Sequence, residues 1–199
     1  VKVSSHDEIG KLARSFNTMA QSLYESRINL HNCFYRIMQS LVRILEARDR
    51  YTRGHSERVA DYVERIALKL GCSEDRLELL KEVAVLHDIG KLGVPESILN
   101  KKEKLTDDEW ETVRKHPLIG EDILKPVLLN EEMLAIIRGH HERFDGNGYP
   151  DRLNGENINL FAQIISLADA YDAMTSTRAY RPALSKQKAM EELANNKGT

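Results

Sequence analysis

Apolar residues recur at spacings of three and four along the first part of the chain: Ile9, Leu12, Phe16, Met19, Leu23, Ile28, Leu30, Phe34, Ile37, Leu41, Ile44 and Leu45, with Ser, Asn, Gln and Arg between them. That period is one face of an α-helix. Residues 7–47 therefore read as one or two long amphipathic helices, compatible with a coiled coil. For residues 7–24 we assign the apolar face to a partner helix. For residues 28–47, packing on the chain's own core is an equal alternative. The rest is also helical in pattern. A helix fits Ser56 to Leu70, ended by Gly71. Ser73 is a good N-cap for a helix from Glu74 to about His87. Gly90, Gly93 and Pro95 mark a loop. Thr106-Asp107-Asp108-Glu109 has the form of a capping box opening a helix through Lys115. Pro117 suits the first turn of a helix to about Leu124, and another runs from Asn130 to about Glu142. Asp145 through Gly155 is rich in turn residues. Leu160 to Met174 is apolar and helical, and Ser185 caps a last helix. Strand signals are weak and there is no internal repeat, so the pattern predicts an all-α fold.

Composition narrows the class. With 199 residues, 41% apolar and 30% charged, the chain can build one globular domain plus a short appendage. A formal charge of -2 with mixed signs excludes an electrostatic footprint for duplex nucleic acid. It leaves room for a small anionic ligand, which needs only a local cluster of positive charge. Cys33 and Cys72 have no metal-ligand spacing and read as free thiols in a reducing compartment. No run of 18 apolar residues is present. The first residue is Val1, so the chain reads as a piece of a longer protein.

Histidines carry the candidate chemistry. Of seven, His55, His87, His116, His140 and His141 fall in suggestive contexts, while His6 and His31 read as polar-face residues of the N-terminal stretch. His87-Asp88 follows the apolar run Val83-Ala84-Val85-Leu86. A charged pair there costs desolvation unless it is compensated, and a cation compensates it. His140-His141 follows Leu134-Ala135-Ile136-Ile137 in the same way. Asp169 sits inside Ile164 to Ala170, where an isolated carboxylate needs a partner. Nitrogen and oxygen donors without thiolates suit iron, manganese, zinc, nickel or cobalt. Six or seven donors exceed one ion's usual share, so two ions with a bridging carboxylate is the natural count. Paired ions suit in-line attack on phosphorus by an acidified water. Each residue alone has an ordinary reading: His140-His141 as a helix-end pair facing the macrodipole, Asp169 as a partner of Arg178 or Arg181. The set is harder to dismiss than any member.

The order His55, His87-Asp88-Ile89-Gly90-Lys91, His116-Pro117, His140-His141-Glu142, Gly148-Tyr149-Pro150, Asp169 resembles the HD-GYP family over roughly residues 40–197. The resemblance implies an all-α HD-domain helical bundle that hydrolyses cyclic di-GMP to the linear dinucleotide, GMP or both. It implies one ion held by His55, His87, Asp88 and Asp169, and a second by His116, His140 and His141, with Asp88 bridging. Iron or manganese come first, with zinc, nickel or cobalt open. Asp88 and Lys91 would be catalytic, Lys91 approaching a phosphate oxygen. Gly148, Tyr149 and Pro150 would form a loop beside the pocket, and Arg178 and Arg181 would contact substrate phosphate or guanine. Lys91 as a solvated lysine, Gly148-Tyr149-Pro150 as an ordinary turn, and Arg178 and Arg181 as surface charges remain the alternatives. Some family members bind a third metal through a Glu four residues before the first histidine. That position is Tyr51 here, so two metals are expected. Thr177 and Ala179 depart from the family's usual Asp and Pro, which bears on fine specificity.

Asp7 through Met19 resembles the end of a HAMP linker. Residues 1–24 are thus expected to be the C-terminal part of such a linker, 25–47 a connecting helix, and 48–199 an HD-GYP domain cut short at its C-terminal end. The linker resemblance implies a homodimer through the N-terminal helices and a cytoplasmic domain of an inner-membrane protein; a diguanylate cyclase (GGDEF) domain, docked through the loop at Gly148-Tyr149-Pro150, is a further candidate partner. A metal-holding binding module and a hydrolase of another phosphoester stand as alternatives to cyclic di-GMP hydrolysis.

Overall fold

The computed structural model describes residues 7–48, 53–128, 130–177 and 182–199. Among them every regular element is helical: α1 (Glu8–Arg48), α2 (His55–Lys69), α3 (Glu74–Leu86), a 3₁₀ turn (Ile89–Gly93), α4 (Glu96–Leu99), α5 (Asp107–Arg114), α6 (His116–Leu124), α7 (Glu131–Gly139), a second 3₁₀ turn (Gly155–Asn157), α8 (Leu160–Thr175) and α9 (Lys186–Asn195). The chain divides into two compact units at Met38/Gln39.

In the first unit the described residues from Glu8 onward are all α1. Ile9, Leu12, Phe16, Met19, Leu23, Leu30 and Ile37 alternate in steps that sum to seven, with Ser26 and Cys33 completing the series. Each of those seven apolar side chains is more than half exposed. A strict seven-residue repeat is the seam of a coiled coil, narrower than the stripe a helix turns toward a globular core.

The second unit begins in the same helix. Val42 and Leu45 are buried, whereas Ile44, still in the seven-residue series, is 54% exposed. α1 thus serves the core with one face from Val42 onward and keeps the seam on another. α2 packs against α3 and α8, α7 against α3, α6 and α8, and α9 against α8. The centre of the core includes Val59, Val63 and Ala67 of α2, Leu80, Val83 and Ala84 of α3, Ile136 and Ile137 of α7, and Ala162, Ile165 and Ala168 of α8.

Local chemistry sets the ends. The capping box at Thr106 is formed, Asn130 accepts from the amides of Glu132 and Met133, and Ser185 from that of Lys188. Ser73 precedes α3 in extended conformation without a side-chain cap. α7 stops at Gly139, short of the expected Glu142, because the next turn is closed by Glu142 N–H on the Gly139 carbonyl. The segment expected as a loop after His87 winds into the first 3₁₀ turn. Its Gly90 allows no side chain: a Cβ there would lie 1.8 Å from the His116 carbonyl oxygen and 2.5 Å from the Gly120 nitrogen. That backbone-to-backbone approach brings the residues beside His87 against the start of α6.

Candidate metal centre

Helix ends converge on one buried point. His55 opens α2, His87 and Asp88 follow α3, His116 opens α6, and His140 and His141 follow α7. Two groups of donor atoms result, each with its atoms within 4.8 Å of one another: His55, His87 and Asp88, and Asp88, His116, His140 and His141. Asp88 belongs to both. Its Oδ1 is 3.3 Å from His116 Nε2, and its Oδ2 is 3.5 Å from His87 Nε2 and 3.8 Å from His55 Nε2. Asp169 lies outside these two groups but adjoins the first, with Oδ1 3.4 Å from His55 Nε2.

Hydrogen bonds fix which ring nitrogen faces inward. The Nδ1 atoms of His87, His116 and His140 donate to the carbonyls of Ala84 (2.6 Å), Val113 (2.8 Å) and Ile137 (2.6 Å), each one helical turn back. His55 Nδ1 donates to Asp172 Oδ2 at 2.7 Å. A neutral imidazole that donates through Nδ1 presents a lone pair at Nε2. The Nε2 of His87 is buried without a hydrogen-bond partner. The Nε2 atoms of His116 and His140 face each other at 3.2 Å. Two lone pairs at that distance repel unless a proton or a cation lies between them. Two nitrogens each about 2.1 Å from one ion, at an angle near 100°, would stand about 3.2 Å apart.

The electrostatics agree. Burial pushes His87 and His140 down, His140 well below the ordinary range with help from His141 and His87. Burial, then His116, lowers His141 to about 3. These rings are neutral near pH 7, the form that binds metal. Burial would raise the Asp88 carboxyl, but Lys91, His87 and His116 outweigh it and hold it well below its usual range. Burial would lower His55, but Asp172, Asp88 and Asp169 outweigh it and raise the ring. The donors therefore fit a metal: neutral imidazoles at His87, His140 and His141, an ionised shared carboxylate, and an orphaned nitrogen aimed at it.

The remaining candidates surround this cluster. Lys91 Nζ is 2.5 Å from Asp88 Oδ2. Tyr149 stacks on His141 with ring centres 4.8 Å apart, and the Arg114 guanidinium lies 5.7 Å from the Tyr149 ring centre. Gly148 admits no other residue, since a Cβ would meet the Arg143 nitrogen at 2.3 Å. The Tyr149–Pro150 bond is cis. Arg178, Arg181, Tyr51 and Ala179 lie outside the described residues.

A family model described as an HD domain matches residues 39–199. The chain belongs to the HD domain family. A second model, the HAMP domain, matches residues 1–25. Among curated proteins, the HD chain is 41% identical over 160 residues to a 3'3'-cGAMP-specific phosphodiesterase of Vibrio cholerae, covering 80% of itself and 35% of that protein. It is 37% identical over 211 residues to a cyclic di-GMP phosphodiesterase of the same organism, covering 98% of itself and 43% of that protein. The chain thus spans less than half the length of these relatives. Among solved structures, an HDG"Y"P protein from Bdellovibrio bacteriovorus superposes with a TM-score of 0.65 at 21% identity, over 90% of this chain and 63% of that one, a likeness of fold.

Three HD-domain residues, Asp172, Arg58 and Glu142, carry no role in the sequence reading. Asp172 is 2% exposed; it accepts from His55 Nδ1, and from Arg58 Nε at 2.7 Å and Nη2 at 3.0 Å. Burial would raise its carboxyl, but these partners bring it down to about 2. The partner foreseen for the helix's acids was Arg178 or Arg181 for Asp169; the described arginine here is Arg58, and the acid it grips is Asp172. Glu142 is also buried, its carboxylate accepting from Asp151 N–H at 2.6 Å and Leu153 N–H at 2.9 Å, which pins the loop bearing Tyr149. The one available signal for Asp172 was its position three residues after Asp169 in an apolar helix.

Proposed function

We propose that this HD domain is a binuclear metal-dependent phosphodiesterase of cyclic di-GMP, releasing the linear dinucleotide, GMP or both. The observation that carries the reading is the sharing of Asp88 between two donor groups. Five imidazoles and the adjoining Asp169 around one carboxylate suit two ions better than one. Iron or manganese is the first choice, with zinc, nickel or cobalt able to use the same donors. Bound there, a metal pair supplies charge neutralisation at phosphorus and a water acidic enough to serve near neutral pH.

The chain's residues do the rest. Asp88 holds both groups at one point. His55, His87 and Asp169 serve one side, and His116, His140 and His141 the other. Lys91, tethered to Asp88, places a protonated amine at the reacting centre, where it steadies a phosphate oxygen and can protonate the leaving alkoxide. Tyr149, fixed by Gly148 and Pro150 and stacked on His141, gives the pocket an aromatic wall suited to a guanine base. Arg178 and Arg181 would add bidentate contacts to phosphate or guanine.

The HAMP match supports a wider assembly: a dimer through the N-terminal helices, in a protein anchored to the inner membrane with this domain in the cytoplasm. A diguanylate cyclase domain is the partner proposed for the loop around Tyr149. No described helix is long and apolar enough to cross a membrane.

A second substrate has a specific observation in its favour, the relative named for 3'3'-cGAMP. Elemental analysis of the purified full-length protein, with hydrolysis of cyclic di-GMP and 3'3'-cGAMP in the same sample, tests the reading. Two metals per chain with faster cyclic di-GMP turnover are expected. Faster cGAMP turnover moves the substrate, and two metals without turnover indicate a binding module. Absence of metal, even after reconstitution, refutes the binuclear reading.

A further inference from the structure

Helix α2 begins without a side-chain cap of its own. His55 is its first residue, and the preceding Gly54 has φ +67°. The amides there are met by a carboxylate from another helix. Glu46, two residues before the end of α1, accepts from Gly54 N–H at 2.7 Å through Oε2 and from Ser56 N–H at 2.9 Å through Oε1. These amides flank His55. A carboxylate at a helix N-terminus satisfies orphan donors and complements the helix dipole.

The donor of that carboxylate is itself fixed. Val42 and Leu45, in the turn of α1 just before it, are buried, and beyond it the Arg48 carbonyl accepts from Asn100 Nδ2 at 2.8 Å. Downstream, Arg58 donates to the Arg53 carbonyl at 3.0 Å and grips Asp172, which in turn holds the His55 ring. His55 is thus held twice, its backbone by Glu46 and its ring by Asp172. None of the contacts made by Glu46 reaches His116, His140 or His141.

We propose that Glu46 is a positioning residue that ties the last turns of α1 to His55, and so to one of the two donor groups and not the other. This rests on the metal reading above. A rotation of the last turns of α1, within the second unit, displaces the Glu46 carboxylate and, with it, the amides on both sides of His55. Regulation through α1 then acts on one half of the centre.

The test uses the full-length protein, stripped of metal and titrated with cobalt(II), whose visible spectrum reports ligand geometry. His55→Ala and His140→Ala provide references for the two groups. In Glu46→Ala, binding at the His55 group weakens about 10–100-fold, as for other residues that orient a ligand. The cobalt spectrum moves toward that of His55→Ala, the other group is unchanged, and kcat falls with KM retained. Glu46→Gln, which keeps one carbonyl acceptor, recovers part of the loss. Wild-type affinity and spectrum in folded Glu46→Ala overturn the proposal, as does equal weakening of both groups. Should Glu46→Ala not fold, Glu46→Gln decides: an unchanged spectrum and affinity overturn it, and a loss confined to the His55 group supports it. A wild-type protein that binds no cobalt fails the metal reading itself, an outcome separate from all of these.

Discussion

Along the first unit, large apolar side chains face solvent, Leu12 at 71% and Leu30 at 72% exposure. In the second unit the reverse holds, with His87 and His140 fully buried and Asp88 6% exposed. Both regions invert the usual partition of residues, and the pattern within each tells what would relieve it. The exposed residues repeat every seven positions on one helix, which calls for a second apolar stripe of the same period. The buried ones come from four helix ends and point lone pairs at one carboxylate, which calls for cations.

The strongest way to break this contrast is Asp88→Ala. If the buried donors exist to hold two ions, removing the shared carboxylate should cost both metal loading and at least about 10³-fold in turnover, roughly 4 kcal/mol of barrier. Elemental analysis and hydrolysis on one sample measure both. Full turnover without metal would mean that the burial serves packing alone.

A second test separates buried from exposed histidines by acid. In the metal-stripped protein His87, His140 and His141 have folded-state values below the ordinary 6.5. As pH falls below about 6.5 the unfolded chain takes up protons that these folded rings refuse. His141, lowered to about 3, therefore withdraws about 2 kcal/mol of stability by pH 5, and His87 and His140 act in the same direction. His55 acts oppositely: raised in the fold, it adds stability at low pH that fades as pH rises through its folded value. The net expectation is a marked loss of thermal midpoint from pH 8 to pH 5, reduced when metal occupies the site. A flat profile for the stripped protein would contradict neutral, buried imidazoles.

Asp172→Asn is a finer cut. It keeps the shape but removes the charge that orients His55, so metal affinity should fall about 10–100-fold, less than for Asp88→Ala. The midpoint of unfolding at acid pH should change as well. Asp172, held near 2, contributes stability above its unfolded value of about 4 that is lost as pH falls toward 2. The variant should lack that dependence in melts between pH 4 and pH 2.

How legible these features are in the sequence follows from their range. His87-Asp88 betrays itself because a polar pair closes the apolar run Val83 to Leu86. The capping box at Thr106 is likewise written in four adjacent residues. Asp172 is not legible in that way: α8 is apolar around both Asp169 and Asp172, and the partners that single out the second, His55 and Arg58, lie 117 and 114 residues earlier. Glu142 could be quoted as part of a motif, but its partners, the Asp151 and Leu153 amides, are backbone groups with no sequence signal. The four-residue α4 is too short to show a period. Gly90 reads as a loop glycine until α6 is seen against it.

The smallest expected effect on the site comes from the other region, and it sharpens the contrast most. Leu23→Ser with Leu30→Ser alters two layers of the seam, both more than 60% exposed in the single chain. Burying a leucine contributes about 1.5–3 kcal/mol, so a two-chain seam that loses four should dissociate at least about 100-fold more readily. Sedimentation of the full-length protein measures this. Neither leucine belongs to the core of the second unit, so that unit's thermal midpoint and its loading at His116, His140 and His141 should stay as they were. If Glu46 carries the state of α1 to His55, the variant should still shift kcat a few-fold and disturb the His55 group alone. If loading falls equally in both groups as the dimer dissociates, the two inversions share one cause, because the centre would then need the second chain to form. If the dimer survives, the seven-residue series is not its seam, and the exposed stripe must be covered by something other than a second copy.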